Sequence, residues 1–263
     1  MGRKLSGIVW LSVLAVATGV FALGCVNFAL PPAEDAAMLM RYAQHLAQGH
    51  GIVWNIGEPP IDGATDFLFM VTVAAVHRAG VPLEAAVHVL AVASHFLTVA
   101  LIYLAVRHVQ GAGAFPAVAS ALYVAVGPGL PLAAAYFGTP FFALGATAAW
   151  IAAQRVLLGE RRTVLDCAVF AIVGLVAGLT RPEGVLIAIF MLVGLCIPLP
   201  FRDARRLLLT FACVFGESSI RGWERSTWRW SFGTTPRGAT RWPRPRPGFC
   251  RSIQNGAPSI PGA

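Results

Sequence analysis

Carboxylates collect in one segment of a chain that is otherwise poor in charge. Five of them fall within residues 30–66 at irregular intervals, namely Glu34, Asp35, Glu58, Asp62 and Asp66. Beside a membrane, such groups can accept a proton from an attacking hydroxyl, hold a divalent cation through oxygen ligands, or bind sugar hydroxyls. The spacing matches no fixed metal motif. A divalent cation is therefore compatible with these residues, but the sequence predicts no specific metal site. The alternative interpretation is that the acids belong to a solvated loop and a helix cap.

The segment 36–48 must position the first of these acids. It has helical propensity and places Arg41, His45 and Gln48 on one polar face, at spacings of four and three residues. Its apolar face is formed by Met38, Leu39, Tyr42 and Leu46. We therefore predict a helix that lies in the membrane interface, followed by a loop punctuated by Gly and Pro.

The composition of the whole chain excludes an ordinary soluble domain. Of its 263 residues, 57% are hydrophobic and only 12% are charged, against roughly 45–50% and 25% in soluble domains. A bilayer core needs about 20 helical residues to cross it, and apolar stretches near that length recur along the chain. They lie at 7–29, 85–106, 113–134, 139–157, 164–180 and 183–200, with a shorter one at 207–216. The sequence predicts an all-α, polytopic transmembrane bundle with external interfacial helices.

The distribution of Lys and Arg predicts the orientation of these spans. The first stretch is longer than a signal-peptide core, so we interpret it as a retained anchor rather than a cleaved signal. If the short apolar segment 67–76 lies on the membrane surface, nine basic residues fall inside and three outside; if it spans, four fall inside and eight outside. The positive-inside rule favours the surface helix, with a short true span as the alternative. The N-terminus is then cytoplasmic, and residues 30–84 form one long external segment.

The external segment resembles a known family in the order of its residues. It contains Glu34-Asp35, an Arg-Tyr-Ala run from Arg41, a Gly-His-Gly-Ile-Val-Trp-Asn run over 49–55, Gly57-Glu58, and an Asp-Gly-Ala-Thr turn over 62–65. This pattern is similar to that of the polyprenyl-phosphate-dependent (GT-C type) membrane glycosyltransferases of bacteria, and especially of terminal arabinofuranosyltransferases. Two later external turns, Gly-Thr-Pro at 138–140 and Thr-Arg-Pro-Glu-Gly at 180–184, resemble further landmarks of that family.

The resemblance implies a function and a set of site residues. It implies transfer of a sugar from a polyprenyl-phosphate donor to an extracytoplasmic glycan or lipid acceptor, in the inner membrane of a bacterium. Asp35 would be the general base or its close partner, and Glu34 the second acid. Arg181 would bind the donor phosphate, for which its forked donors are suited, although an ion pair with Glu183 or a lipid contact would also explain it. The other substrate-binding candidates are Arg41, His50, Trp54, Asn55, Glu58 and Asp62.

The sequence departs from the family pattern at some of these positions. Glu34 stands where the first acid is often Asp, and Ala37 and Ala64 stand where aromatic residues are common. The turn before Thr139 usually carries a glutamate, whereas this chain has Gly138. The departures favour a rival function, a non-catalytic membrane protein that binds lipid-linked sugars. A secondary transporter is disfavoured because few ionisable residues lie within the spans; His88 and His95, seven residues apart, are predicted to pack inward rather than to relay protons.

The last 47 residues differ in composition from the rest of the chain. Residues 217–263 hold eight Arg and two Glu, so they carry +6 of the formal net charge of +8. We predict a basic tail that is disordered, or that results from a shifted reading frame after residue 216 and leaves an inactive, truncated product. An Arg- and Trp-rich arm that binds nucleic acid is the least favoured alternative. Residues 1–216 are thus the predicted functional region, in contact with membrane lipid and without a nucleic-acid partner.

Overall fold

The computed structural model describes most of the predicted functional region. The backbone is described for residues 2–58, 63, 65–159 and 163–231, and the side chains for residues 7–58, 63, 65–159 and 163–216. Within those ranges the chain folds into α-helices and contains no strand, which confirms the predicted all-α class. The prediction for the tail covers residues 217–263. From residue 232 onward these residues lie outside the described chain, and of residues 217–231 only the backbone is described.

Ten helices follow one another along the described chain. They are α1 (Gly2–Cys25), α2 (Glu34–Ala47), α3 (Phe67–Arg78), α4 (Leu83–Leu104), α5 (Ala114–Ala125), α6 (Gly129–Ala134), α7 (Thr139–Leu158), α8 (Val164–Thr180), α9 (Pro182–Cys196) and α10 (Phe201–Ser231). A π-helical turn at Ala105–Val109 extends α4. Residues up to Ser218 form one compact unit, and the helical backbone that follows, up to Ser231, belongs to a second.

Four segments of the described chain are long and apolar enough to cross a membrane. They are Gly7–Cys25, Leu83–Val109, Ala114–Ala134 and Thr139–Leu158. Their outer surfaces expose large apolar side chains, such as Leu23 and Phe115, whose exposure exceeds 80%. A surface of this kind is stable in contact with lipid rather than water. The chain is therefore a helical integral membrane protein.

Three further apolar helices are shorter than these four segments. Helices α8 and α9 have 17 and 15 residues and reach only about 26 and 23 Å at the usual helical rise. The sequence predicted full spans at these positions. Helix α3 has 12 residues, or about 18 Å, which is too short to cross a hydrocarbon core of about 30 Å. This length agrees with the surface helix that the charge distribution favoured.

The amphipathic helix α2 packs its apolar face on α3. Tyr42 and Ala43 of α2 lie in one buried cluster with Phe69, Met70 and Val73 of α3. Because α4 and Tyr136 contribute to the same cluster, burial of this apolar face ties α2 to the membrane helices. The packing fixes the position of Asp35, which lies in the first turn of α2.

Helices α8 and α9 form a tight hairpin around one extended residue. Arg181 ends α8 and begins α9 with φ −144° and ψ 146°, and Pro182 favours the helix that follows it. Gly184 allows the two helices to meet, because a Cβ atom there would overlap the carbonyl oxygen of Ala177. The hairpin therefore depends on glycine at position 184.

Gly184→Ala is expected to destabilise this hairpin. The new methyl group must displace the backbone of α8, at a cost of about 2 kcal/mol. The measurement is the thermal unfolding midpoint of the purified protein in detergent. Gly194→Ala in the same helix is the matched control, since no atom lies within 4 Å of its Cβ position; it should leave the midpoint unchanged or raise it slightly. Equal midpoints for the two variants would contradict the packing argument.

Candidate functional site

A cleft at one end of the bundle brings together four parts of the sequence that are far apart. It has a volume of about 210 Å³ and lies between the start of α2, the start of α3, the turn before α7 and the α8–α9 junction. Its polar side chains are Asp35, Thr65, Asp66 and Arg181. Two of the predicted functional residues, Asp35 and Arg181, therefore line the same cleft.

Arg181 and Asp66 form a forked ion pair in this cleft. The Nε–H group of Arg181 donates to Oδ1 of Asp66, and Nη2 donates to Oδ2 at 3.0 Å. Nη2 also donates to Oγ1 of Thr139 at 3.3 Å. The Asp66 side chain is 4% exposed and that of Arg181 is 26% exposed. The hydrogen bonds that Arg181 donates to Asp66 raise the pKa of Arg181 further above its ordinary value, against a smaller opposing effect of burial, so the guanidinium stays charged.

Three helix N-termini meet at this ion pair. Asp66, Gly138 and Arg181 are the residues that precede α3, α7 and α9. The N-terminal end of a helix carries a partial positive charge and unpaired N–H groups, which favour a bound anion. The Asp66 carboxylate offsets much of the positive charge of Arg181. The three helix N-termini add to the positive potential that remains in the cleft.

Part of the Arg181 guanidinium has no partner among the described residues. An arginine carries five N–H donors, and Asp66 and Thr139 account for those of Nε and Nη2. The two hydrogens of Nη1 remain. The guanidinium carbon also lies 5.8 Å from the centre of the Phe142 ring, so the group is held between aromatic, hydroxyl and carboxylate neighbours. This leaves a fixed pair of donors available to a ligand.

Asp35 has a different environment from Asp66. It is exposed, lines the cleft, and forms no hydrogen bond or ion pair with another described side chain. Its neighbour Glu34 is also exposed but does not line the cleft. The two acids that do line the cleft thus differ, because Asp66 is buried and paired whereas Asp35 is accessible and free to accept a proton.

The other predicted binding residues hold the loop 49–58 against α2. Arg41 donates from Nε to the carbonyl oxygen of Trp54 at 2.9 Å and from Nη2 to Oδ1 of Asn55 at 3.0 Å, with its guanidinium 4.5 Å above the Trp54 ring. Asn55 in turn donates to Glu58 at 2.9 Å. None of these side chains lines the cleft. Among the described residues, the contacts of these side chains hold the loop 49–58 against α2.

The two histidines of this region belong to the same loop structure. The sequence placed His45 on the polar face of α2, but the structure buries it, because its Nδ1–H donates to the carbonyl oxygen of Val53 at 2.9 Å. His50 packs edge-on against it, with ring centres 6.3 Å apart. Asp62, another predicted binding residue, lies outside the described residues. Among those that are described, no cluster of three or more His, Cys, Asp or Glu side chains could hold a metal ion.

Arg41→Ala is expected to release the loop from α2. Loss of two hydrogen bonds to the loop and the contact with Trp54 should accelerate amide hydrogen exchange over residues 49–58 by about tenfold. Gln44→Ala is the matched control, because Gln44 is an exposed residue of the same helix with no described partner. Unchanged exchange in the Arg41 variant would contradict a role in holding the loop.

Sequence reasoning counted Asp66 among the acids but did not recognise it as a site residue. It precedes an apolar helix and was assigned only to the start of that helix. The side chain makes no hydrogen bond to its own helix and instead pairs with Arg181, 115 residues away. The partner suggested by the sequence for Arg181 was Glu183. An arginine at the break between two apolar helices was a signal that a carboxylate would lie opposite it, but the sequence did not show which carboxylate.

Gly138 allows the cleft to close around Asp66. A Cβ atom at this position would lie 2.6 Å from Oδ2 of Asp66 and 2.6 Å from the ring of Phe69. The glutamate that the family resemblance places here has no room in this structure. Glycine at position 138 therefore leaves the space that the buried carboxylate of Asp66 occupies.

Tyr136 forms one wall of the cleft in an unusual conformation. It is the one described non-glycine residue with positive φ, at 66°, which for a bulky side chain costs free energy that the surroundings must supply. His88 stacks against it with ring centres 4.0 Å apart and donates from Nε2 towards the carbonyl oxygen of Ala134 at 3.4 Å. His95 bonds the carbonyl oxygen of Ala125 at 3.2 Å. Both histidines thus pack inward against backbone.

Two apolar pockets lie along the bundle near the ion pair, and the larger one is an open groove. One of about 370 Å³ is lined by Thr139, which contacts Arg181, and by Pro140, Ala143 and the 126–129 turn. It shares Tyr123 and Val124 with a second cavity of about 930 Å³, whose lining includes Trp150. Apolar surface therefore extends from Thr139, beside the ion pair, to Trp150 in the same helix.

The architecture defines the class of this protein as a polytopic helical membrane protein with a polar cleft at one end. Comparison with known proteins adds no family to that class. No protein family matches the chain, and neither does any curated protein or any solved structure.

Proposed function

We propose that this protein transfers a sugar from a polyprenyl-phosphate donor to a glycan or lipid acceptor outside the cytoplasm. The observation that carries the proposal is the cleft, in which a carboxylate without a described partner and a fixed guanidinium lie close to apolar pockets of the bundle. A lipid-linked sugar phosphate has the matching parts: an apolar chain, an anionic phosphate and a sugar. The resemblance of the external segment to GT-C glycosyltransferases points to the same substrate class.

The donor phosphate would bind at Arg181. The two free Nη1 hydrogens provide donors for phosphate oxygens, and the N-termini of α3, α7 and α9 add positive potential. The prenyl chain would follow the apolar cavities past Pro140 towards Trp150. Burial of such a chain contributes about 0.8 kcal/mol per methylene group, so the apolar part of the donor would supply much of the affinity.

Asp35 would act as the general base of the transfer. Its carboxylate would accept the proton of the acceptor hydroxyl while that oxygen attacks the anomeric carbon of the sugar. The bond between the anomeric carbon and the phosphate oxygen then breaks, and polyprenyl phosphate leaves with the electron pair. Arg181 would stabilise the charge that develops on this leaving phosphate. Each step uses a residue that lines the cleft.

The distribution of basic residues supports an extracytoplasmic position for the cleft. Asp35, Asp66, Thr139 and Arg181 all belong to segments that the positive-inside count assigns to the outer side. Their spatial convergence agrees with that assignment, because residues of one membrane face must meet at one end of the bundle. We propose a bacterial inner membrane as the location, with the N-terminus in the cytoplasm.

The proposal is tested with the full chain in lipid nanodiscs and a panel of polyprenyl-phosphate pentoses and hexoses. The expected result is release of polyprenyl phosphate that depends on an added acceptor glycan. Binding of these donors without release would support the rival function, a non-catalytic carrier of lipid-linked sugars. Failure to bind any of them would contradict both.

A further inference from the structure

The buried acid of the cleft is directed away from the helix that it begins. Asp66 is the N-cap residue of α3, a position where a carboxylate usually accepts from the N–H groups of its own first turn. No such side-chain bond is present. Both carboxylate oxygens instead accept from Arg181, and the side chain is 4% exposed. The carboxylate is therefore committed to the guanidinium.

We infer that Asp66 is a positioning residue for the donor phosphate and not the proton acceptor of the reaction. It fixes Nε and Nη2 of Arg181, so that only Nη1 is left to meet the phosphate. Both oxygens of Asp66 already accept from Arg181, and the Asp66 side chain is buried, so neither oxygen is open to an acceptor hydroxyl. Asp35 is exposed in the cleft and has no described side-chain partner. This inference rests on the proposed function, since it assigns separate roles to the two acids of the same site.

Two further contacts show that the guanidinium has one geometry. Thr139 accepts a second bond from Nη2, and the Phe142 ring lies beside the guanidinium carbon. Arg181 follows the closely packed α8 and precedes α9 with an extended backbone. Among the side chains that contact the guanidinium in this way, Asp66 alone carries a negative charge. It alone accepts hydrogen bonds from two nitrogens of Arg181, Nε and Nη2. Its removal would leave the arginine charged but free to turn.

The test compares an isoprenoid phosphate with its uncharged alcohol. Binding of farnesyl phosphate and farnesol to the full chain in nanodiscs of zwitterionic lipid gives a ratio of affinities. Asp66→Asn should lower that ratio about ten- to a hundredfold, the value of hydrogen bonds to a charged group, with little change for farnesol. A purely structural role would weaken both ligands together. In the transfer assay this variant should raise KM for the donor and retain measurable kcat.

Two other variants test the inference if Asp66→Asn folds poorly. Gly138→Ala keeps every charge but places a methyl group against Oδ2 of Asp66, so it should lower the ratio as well. Gly145→Ala is its matched control in α7, because the added Cβ makes only ordinary contacts at 3.7 Å. Arg181→Lys keeps the charge without the fork and should also lower the ratio.

The outcomes separate this inference from the proposed function. A wild-type protein with no preference for farnesyl phosphate over farnesol would overturn the donor site, and the inference with it. A wild-type preference that survives in Asp66→Asn, or in Gly138→Ala and Arg181→Lys, would overturn the inference alone. Loss of kcat with an unchanged KM in Asp66→Asn would make Asp66 the proton acceptor and would also overturn it.

Discussion

Asp35→Asn is expected to abolish sugar transfer without disturbing the fold. The amide cannot accept the hydroxyl proton, and general bases of this kind contribute about 10²–10⁴-fold to a rate. Since Asp35 is exposed and forms no bond to another described residue, the thermal midpoint should not change. The measurement is the initial rate of acceptor glycosylation in nanodiscs at saturating donor, so that the effect is on kcat.

Glu84→Gln provides the control for this substitution. Glu84 is likewise an exposed carboxylate in the first turn of a helix, on the same predicted side of the membrane, and it lies outside the cleft. Its variant should transfer sugar at the wild-type rate. Glu34→Gln should have a smaller effect than Asp35→Asn, because Glu34 does not line the cleft. Full activity of Asp35→Asn would remove Asp35 from the mechanism.

Arg181→Ala is expected to have the largest effect on stability as well as on binding. The substitution leaves the Asp66 carboxylate buried without its partner, at a cost of about 3 kcal/mol, the low end for a buried pair because Arg181 is partly exposed. The midpoint of thermal unfolding should fall clearly. Affinity for farnesyl phosphate should fall to that for farnesol.

The double variant Arg181→Ala with Asp66→Ala separates these two effects. With both charges removed, no uncompensated carboxylate remains, so most of the stability should return. Phosphate binding should stay lost, because the guanidinium that binds it is absent. If the double variant is as unstable as Arg181→Ala, the pair does not account for the loss of stability. If it regains phosphate binding, Arg181 is not the ligand.

Local patterns in the sequence predicted the elements that carry the site. Apolar stretches marked the long helices, since burial in lipid demands apolar residues over a full span. The alternation of polar and apolar residues at 36–48 predicted α2, which the structure places at Glu34–Ala47. The breaks at Gly138 and Arg181 were recognised because Gly, Pro and charged residues interrupt apolar runs there. These features depend on neighbouring residues only.

Contacts between distant residues could not be read from these patterns. Nothing local to Asp66 indicates that it pairs with Arg181 rather than solvent, because the pairing depends on how α3 packs against α8. The burial of His45 likewise depends on the path of the loop that follows α2, which brings the Val53 carbonyl oxygen to its ring. The stretch predicted at 164–180 has the bounds of α8, whereas the one predicted at 183–200 overestimates α9, because apolar composition continues beyond Cys196 into the 197–200 turn.

The central claim is that the cleft binds the phosphate of an isoprenoid whose chain lies in the adjoining apolar cavities. It is tested most directly by photocrosslinking with a farnesyl phosphate that carries a diazirine on its chain, followed by peptide mapping. The account predicts labelling of the α5–α7 region around Tyr123, Pro140 and Ala143. An excess of unlabelled farnesyl phosphate should compete with this labelling, and Arg181→Ala should reduce it to the level that the corresponding farnesol probe gives. Labelling spread over the lipid-facing surfaces, with no dependence on the phosphate or on Arg181, would contradict the account.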